Sequence, residues 1–389
     1  MNEDKATHYH RLRRRAFLLA AGWQALVLAG FLVSGFAHGL QETARASTQS
    51  LPAPFQLPAQ VLAFVLVLVL AQQAGALPLA FFGGFILERR YGLSRQTAAS
   101  WLRDHVKAGA IGVVFVGAAS VWIYLWLAIA PDRWWLPAWA GVAAAGVVGV
   151  WAAPVLLLPL FFRFVPLSDG GLRGRLLALA EKAGVPALGV FEWHTSGRTS
   201  RANAALTGLG RTRRIILSDT LISDYTPEEV EAILAHEMAH HVRHDIWKGL
   251  AVDALAGLGA LLAADAALRA LAGQAGLGRL SDPAGIPIVG LAALAAGWLA
   301  SPVQNAVSRA HERRADRFAL ELTRNAGAFT GAMRRLGARN LAEESPAVLA
   351  RLFFHTHPTP AERIAFARDW EAGRVAPQRA DEAVRGGEA

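Results

Sequence analysis

The sequence predicts a mainly α, polytopic transmembrane helical bundle that carries a soluble subdomain with a small β-sheet. Hydrophobic residues make up 53% of the 389 positions. They are gathered into long runs with almost no charge, each of the length needed to cross an apolar layer of about 30 Å. Between the fourth and fifth runs the pattern turns mixed and periodic, as in a water-soluble domain. No cysteine is present, which excludes a disulfide framework and thiolate metal sites. The net charge of +9 sits beside the apolar runs, and no nucleic-acid signature accompanies it. The basic residues therefore read as membrane flanks, and the bilayer, not nucleic acid, is the expected partner.

Residues 1–15 are polar and end in Arg11-Leu-Arg-Arg-Arg15. The apolar run that follows, 16–38, is too long for a signal-peptide core and reads as a retained first span. Residues 39–59 read as a linker, and the second span covers 60–86. The basic stretch 88–107 turns helix-like toward its end, which suggests an interfacial helix. Spans three and four cover 108–130 and 137–163, joined by a turn at Pro131-Asp132-Arg133 with the interfacial pair Trp134-Trp135. From 164 onward the chain is soluble in character: a helix over 172–184, then short strands at 189–194, 201–207 and 213–218.

A helix then begins at Thr226-Pro227, with Glu229 closing a capping box, and reads as running on into a fifth span at 246–270. Asp253 and Asp265 inside that span are expensive unless they face a polar interior. A sixth span at 285–305 leads into another helix, and a charged tail over 371–389 is expected to be disordered. Three domains result: an N-terminal transmembrane region at 1–163, a second region at 164–370 that holds the last two spans, and the tail. The dense basic loops fall on one side when the spans number six, which places both termini and the soluble region in the cytoplasm.

The chemistry concentrates in His236-Glu237-Met238-Ala239-His240. Residues four apart on a helix share a face, about 6 Å apart along the axis. Two imidazoles so placed converge on one zinc ion, and Glu237 between them reaches a water as general base. His244 extends the row but lies about 12 Å from His236 along the axis, too far to share the ion. A histidine ten residues after the first is excluded because position 246 is Ile. Glu312 and Asp316, four apart on the helix after span six, are the better source. Glu312 completes a site of two histidines and one glutamate with a position left open for water, and Asp316 is placed to accept a histidine ring N–H. The plainer reading of this stretch is a solvated charged helix, since Arg309, Arg313, Arg314 and Arg317 surround the acids.

With these residues in view, the chain resembles the integral-membrane CAAX prenyl proteases, zinc metalloendopeptidases of gluzincin type. The resemblance runs from about residue 80 onward and rests on Glu88-Arg-Arg-Tyr-Gly-Leu93, Arg214-Ile-Ile-Leu-Ser-Asp-Thr-Leu221, the His236–His240 motif, Glu312–Asp316, and His357-Pro358 with Arg363. It implies one zinc per chain and a chamber walled by transmembrane helices. It also implies that His357 and Arg363 stabilise the oxyanion, and that Asn203-Ala204 lies along the substrate as a strand edge. The substrates implied are prenylated proteins that lose a C-terminal tripeptide. Family members usually show seven spans against the six counted here, and Ala205 and Leu206 stand where aromatic residues often follow the Asn-Ala pair. Two rival functions are an HtpX-like membrane quality-control protease and a transporter or scaffold with a structural metal.

Overall fold

In lipid the backbone has no water to bond, so apolar runs must satisfy their own amides and fold as helices. The computed structural model describes residues 2–208 and 213–374. Among the described residues six helices are long and apolar enough to cross a membrane, over Lys5–Val33, Ala53–Arg90, Ala98–Ile129, Trp135–Ala152, Asp245–Leu271 and Pro283–Thr323.

Helix α1 (Asn2–Val33) turns at Gly35, whose φ of 74° favours glycine, into α2 (Phe36–Thr48). The segment expected to be a linker is thus largely helical. Its buried positions, Ala37, Gln41, Ala44 and Thr48, keep helical spacing. Two of them are polar, so the apolar stripe was invisible in the sequence. Gln41 accepts the Ala284 amide at 2.9 Å and Thr48 accepts from Gln60 at 3.1 Å. At 13 residues α2 spans about 20 Å, too short to cross.

Helix α3 (Ala53–Phe81) continues through a π-helical turn at Phe82–Ile86 into α4 (Leu87–Arg90), just after Pro78 removes a backbone donor. Helix α5 (Ala98–Ile129) starts at a Thr97 cap, so the basic stretch read as a separate interfacial helix ends in the first turns of span three. Helix α6 (Trp135–Ala152) passes through a second π-helical turn into α7 (Leu158–Phe161). Leu28, Phe64, Leu68, Tyr124, Trp134 and Leu268 are among the buried residues that join these spans to the last two. The two acids of span five find partners. Asp265 accepts from Trp134 at 2.7 Å and Arg269 at 2.9 Å, and Asp253 accepts from Gln304 at 2.8 Å.

The soluble part opens with β1 (Phe164–Pro166), too short to show a period, then α8 (Gly170–Lys182), β2 (Val190–Trp193), β3 (Ala204–Thr207) and β4 (Arg214–Ser218). The sheet order is β1-β2-β4-β3, with β2 and β4 parallel and the other pairs antiparallel. Strand β3 therefore lies at an edge. Helices α9 (Asp219–Asp224) and α10 (Pro227–Val242) follow. Val230, Ile233, Leu234 and Met238 of α10 pack into one apolar core with Leu176, Ile215 and Leu217.

Helix α10 does not run on into the fifth span. His244 adopts φ 55°, the left-handed region, and α11 (Asp245–Leu271) starts afresh in a new direction. Helix α12 (Ile286–Thr323) is continuous over 38 residues, about 57 Å, so it crosses and then projects into the soluble part. Helices α13 (Ala326–Arg339), α14 (Val348–Phe354) and α15 (Pro360–Glu371) close the structure. Of the tail expected at 371–389, residues 375–389 lie outside the described residues.

Candidate active site

Helix α10 is fixed at its start. Thr226 Oγ1 accepts the Glu229 amide at 3.3 Å and Glu229 returns the bond to the Thr226 amide at 3.0 Å. Glu229 also accepts from Arg335 of α13 at 3.1 Å, which ties this cap to a neighbouring helix. One face of α10 enters the core and the adjoining face carries His236 and His240, whose ring centroids lie 5.1 Å apart.

Helix α12 brings Glu312 against both rings. Glu312 Oε2 lies 3.2 Å from His236 Nε2, and Oε1 lies 3.4 Å from His240 Nε2. Donor atoms of the three residues all fall within 4.8 Å of one another. Tetrahedral zinc with bonds of about 2.0–2.2 Å places its donors about 3.4 Å apart, so the set fits. Glu312 Oε2 is buried without a hydrogen-bond partner, which suits an oxygen that ligates a metal.

Each ring is oriented from behind. Asp316 Oδ1 lies 2.9 Å from His236 Nδ1, and Asp245 Oδ2 lies 3.1 Å from His240 Nδ1. A carboxylate only accepts, so each Nδ1 carries a proton, which leaves each Nε2 as the nitrogen that would bind a metal shared with Glu312. Arg363 grips Asp316 through both carboxylate oxygens and its Nη2 lies 3.1 Å from His236 Nδ1. Nδ1 cannot donate to Asp316 and accept from Arg363 at once. The pair with Asp316 prevails, since an unprotonated Nδ1 would face a carboxylate oxygen lone pair to lone pair. Burial is the largest influence on the half-buried Glu237 carboxyl and raises it above the usual carboxylate range. Burial alone would lower the His240 imidazole, but its bonds to Asp245 and Glu312 carry it up to about 10. The cluster draws a cation.

The loop after α14 supplies His357. Its Nε2 lies 3.4 Å from Glu312 Oε1 and its Nδ1 2.7 Å from Thr356 Oγ1, with the side chain 62% exposed. That loop is held by α12. Arg309 donates to the carbonyls of Arg351 at 3.1 Å and His355 at 2.6 Å, and Asn305 donates to that of Leu352 at 2.8 Å. Arg309 is buried. The plainer reading of it as a solvated charge is corrected: Arg309 positions the His357 loop.

Asn203 precedes β3 and meets Ser218 twice, its carbonyl accepting the Ser218 amide and its amide donating to Ser218 Oγ, both at 2.9 Å. Antiparallel alternation then turns residues 205 and 207 toward β4 and residues 204 and 206 outward. The outward Leu206 carbonyl accepts from His241 of α10 at 2.7 Å. The free edge of β3 therefore faces the helix that carries His236 and His240. Arg201, just upstream, bonds Glu88 at 2.9 Å and Tyr9 at 3.0 Å, which explains the Glu88–Leu93 motif as an anchor for this strand.

Sequence reasoning missed Asp245, His241, Arg309 and Arg201. Asp245 carried a signal, since it stands five residues after His240 and opens the next helix, but the break at His244 was needed to turn it back.

Residues 166–371 match the model of peptidase family M48. The chain belongs to this family. Residues 2–163 match the CAAX prenyl protease N-terminal model, described as having five membrane helices. Over that region this chain has four helices able to cross, with the short α2 beside them. Among relatives, the uncharacterized metalloprotease YhfN of Bacillus subtilis is 30% identical over 94% of this chain and 85% of its own length. A CAAX prenyl protease 1 homolog of Arabidopsis thaliana is 30% identical over 78% of this chain and 72% of its own. The crystal structure of S. mikatae Ste24p superposes with a TM-score of 0.78 at 21% identity, over 94% of this chain and 88% of that one, and shares the fold. The protein is a multi-pass membrane metalloprotease, and a transporter or scaffold with a structural metal is set aside.

Proposed function

We propose that the chain is a zinc endopeptidase that cuts an extended peptide laid along β3, with prenylated proteins as its substrate class. One observation carries the reading: Glu237 stands between two histidines whose Nε2 atoms meet the buried Glu312 carboxylate, of which Oε2 makes no hydrogen bond, on the helix that the edge of β3 faces.

His236, His240 and Glu312 would hold the zinc, which when bound supplies Lewis-acid polarisation and acidifies water. Ala204, whose backbone turns outward, aligns the peptide backbone by strand addition, while Asn203, its own backbone committed to Ser218, reaches the peptide through its side chain. Glu237 takes the proton of the attacking water and passes it to the leaving nitrogen. His357 Nε2 faces the site and donates to the oxyanion. Arg363 adds positive charge beside Glu237 and Glu312 while its N–H groups hold Asp316, which in turn holds His236. Asp245 does the same for His240. Positive flanks at 11–15 and 89–107 support a cytoplasmic location for this site and both termini, and the family-model boundary near 163 supports dividing the chain there.

The test is cleavage of a farnesylated CAAX peptide and its unfarnesylated twin by detergent-purified protein, with and without a zinc chelator. Chelator-sensitive cutting confined to the farnesylated peptide is expected. Equal cutting of both would instead favour an HtpX-like quality-control protease, and no cutting of either would overturn the proposal.

A further inference from the structure

A cavity of about 370 Å³ opens directly beside His357 and runs to the basic start of α1. Its charged and imidazole-bearing lining is Arg13 and Arg14 of α1 with His10, Glu343, His355 and His357, and Phe17 and Phe354 supply apolar wall. The charges do not balance. Glu343 is buried and already engaged, by Arg14 at 2.5 Å and 3.2 Å and by His355 at 3.3 Å. Arg13 has no hydrogen-bond or ion-pair partner among the described residues. One free guanidinium thus faces a partly apolar cavity whose other end is the proposed oxyanion donor. The walls are also fixed. His10 bonds the Leu341 carbonyl at 2.8 Å, and Phe17 meets Phe354 edge-on with centroids 5.7 Å apart.

We propose that this cavity is a subsite for the carboxyl end of the substrate, in which Arg13 binds the terminal carboxylate and Phe17 and Phe354 receive an apolar terminal side chain. The proposal rests on the proteolytic reading given above. A single carboxylate complements the single uncompensated cation, and a guanidinium pairs with carboxylate through two parallel N–H bonds. An anchor at the peptide's end, with His357 at the near end of the cavity, makes the enzyme count inward from the carboxyl terminus. The first membrane helix then has a recognition task besides crossing the bilayer. A lipid phosphate offers the same anionic chemistry, and the substrate comparison separates the two sources.

The experiment compares two peptides of one sequence, ending in a free carboxylate or in a carboxamide, cut by wild type, Arg13→Gln and Arg13→Lys. Wild type is expected to favour the acid in kcat/KM by about tenfold, the size of one charge-assisted hydrogen bond. Arg13→Gln brings that ratio close to one, and Arg13→Lys restores part of it. Misfolding or metal loss lowers both peptides together and leaves the ratio intact, so the ratio reads the anchor alone. Equal use of acid and amide by wild type, or an unchanged ratio in Arg13→Gln, overturns the proposal and points to a lipid phosphate as the anion. Failure of wild type to cut either peptide overturns the proteolytic reading, and this proposal with it.

Discussion

Asp245 accepts the Nδ1 proton of His240 at 3.1 Å from the first residue of the helix that follows the motif. The bend at His244 makes this possible, because a straight continuation of α10 would carry residue 245 about 7.5 Å further along the axis and around to another face. The same turn that ends the motif helix therefore orients its second histidine.

Asp245→Ala is expected to weaken zinc binding by about 10- to 100-fold, as removal of such partners does elsewhere. Chelator competition monitored by metal content checks this. Asp316→Ala should behave alike, and a variant with wild-type affinity would show that the carboxylate is dispensable.

His241 fixes the outer edge of β3 to α10 through the Leu206 carbonyl. His241→Ala leaves that carbonyl without its donor and lets the edge drift from the metal ligands. The expected result is a rise in KM of several-fold with bound zinc unchanged. His241→Gln, which retains a donor, should recover part of the loss.

Much of this site was legible in the sequence because it is local. His236, Glu237 and His240 share one helix, and Glu312 and Asp316 share another, so spacing alone puts each set on a face. The six spans were legible for the same reason, since lipid forces long apolar runs. What escaped was set by long-range contact. His357 and Arg363 are unremarkable in their own segments and came only from family resemblance. Arg309 looked solvated because nothing nearby in sequence announces the carbonyls it binds, more than forty residues later. Helix α2 escaped because two of its inward positions are polar and find partners on other helices.

Asp219 lies outside the six helices able to span a membrane and holds a turn together. It accepts from the amides of Thr195 at 3.1 Å, Ser196 at 3.0 Å and Thr220 at 2.9 Å. Burial would raise its carboxyl, but these bonds outweigh it and hold the group below the usual carboxylate range. A depressed value in the folded state means the stabilisation is complete above the ordinary aspartate value of about 4 and is lost as pH falls through the folded value. Asp219→Asn should lower stability at neutral pH by about 1–3 kcal/mol and flatten this acid limb. Thermal inactivation of detergent-purified protein across pH 3–7 (about the carboxylate range) reads both effects.

The catalytic role of Glu237 is tested by changing one atom type while leaving the ligands in place. Glu237→Gln keeps the size of the side chain and the geometry of His236, His240 and Glu312, but removes the base. Zinc content and peptide hydrolysis measured on the same preparation should show one zinc per chain retained and the rate reduced by at least about 10²-fold. Hydrolysis at the wild-type rate with zinc bound would contradict the account.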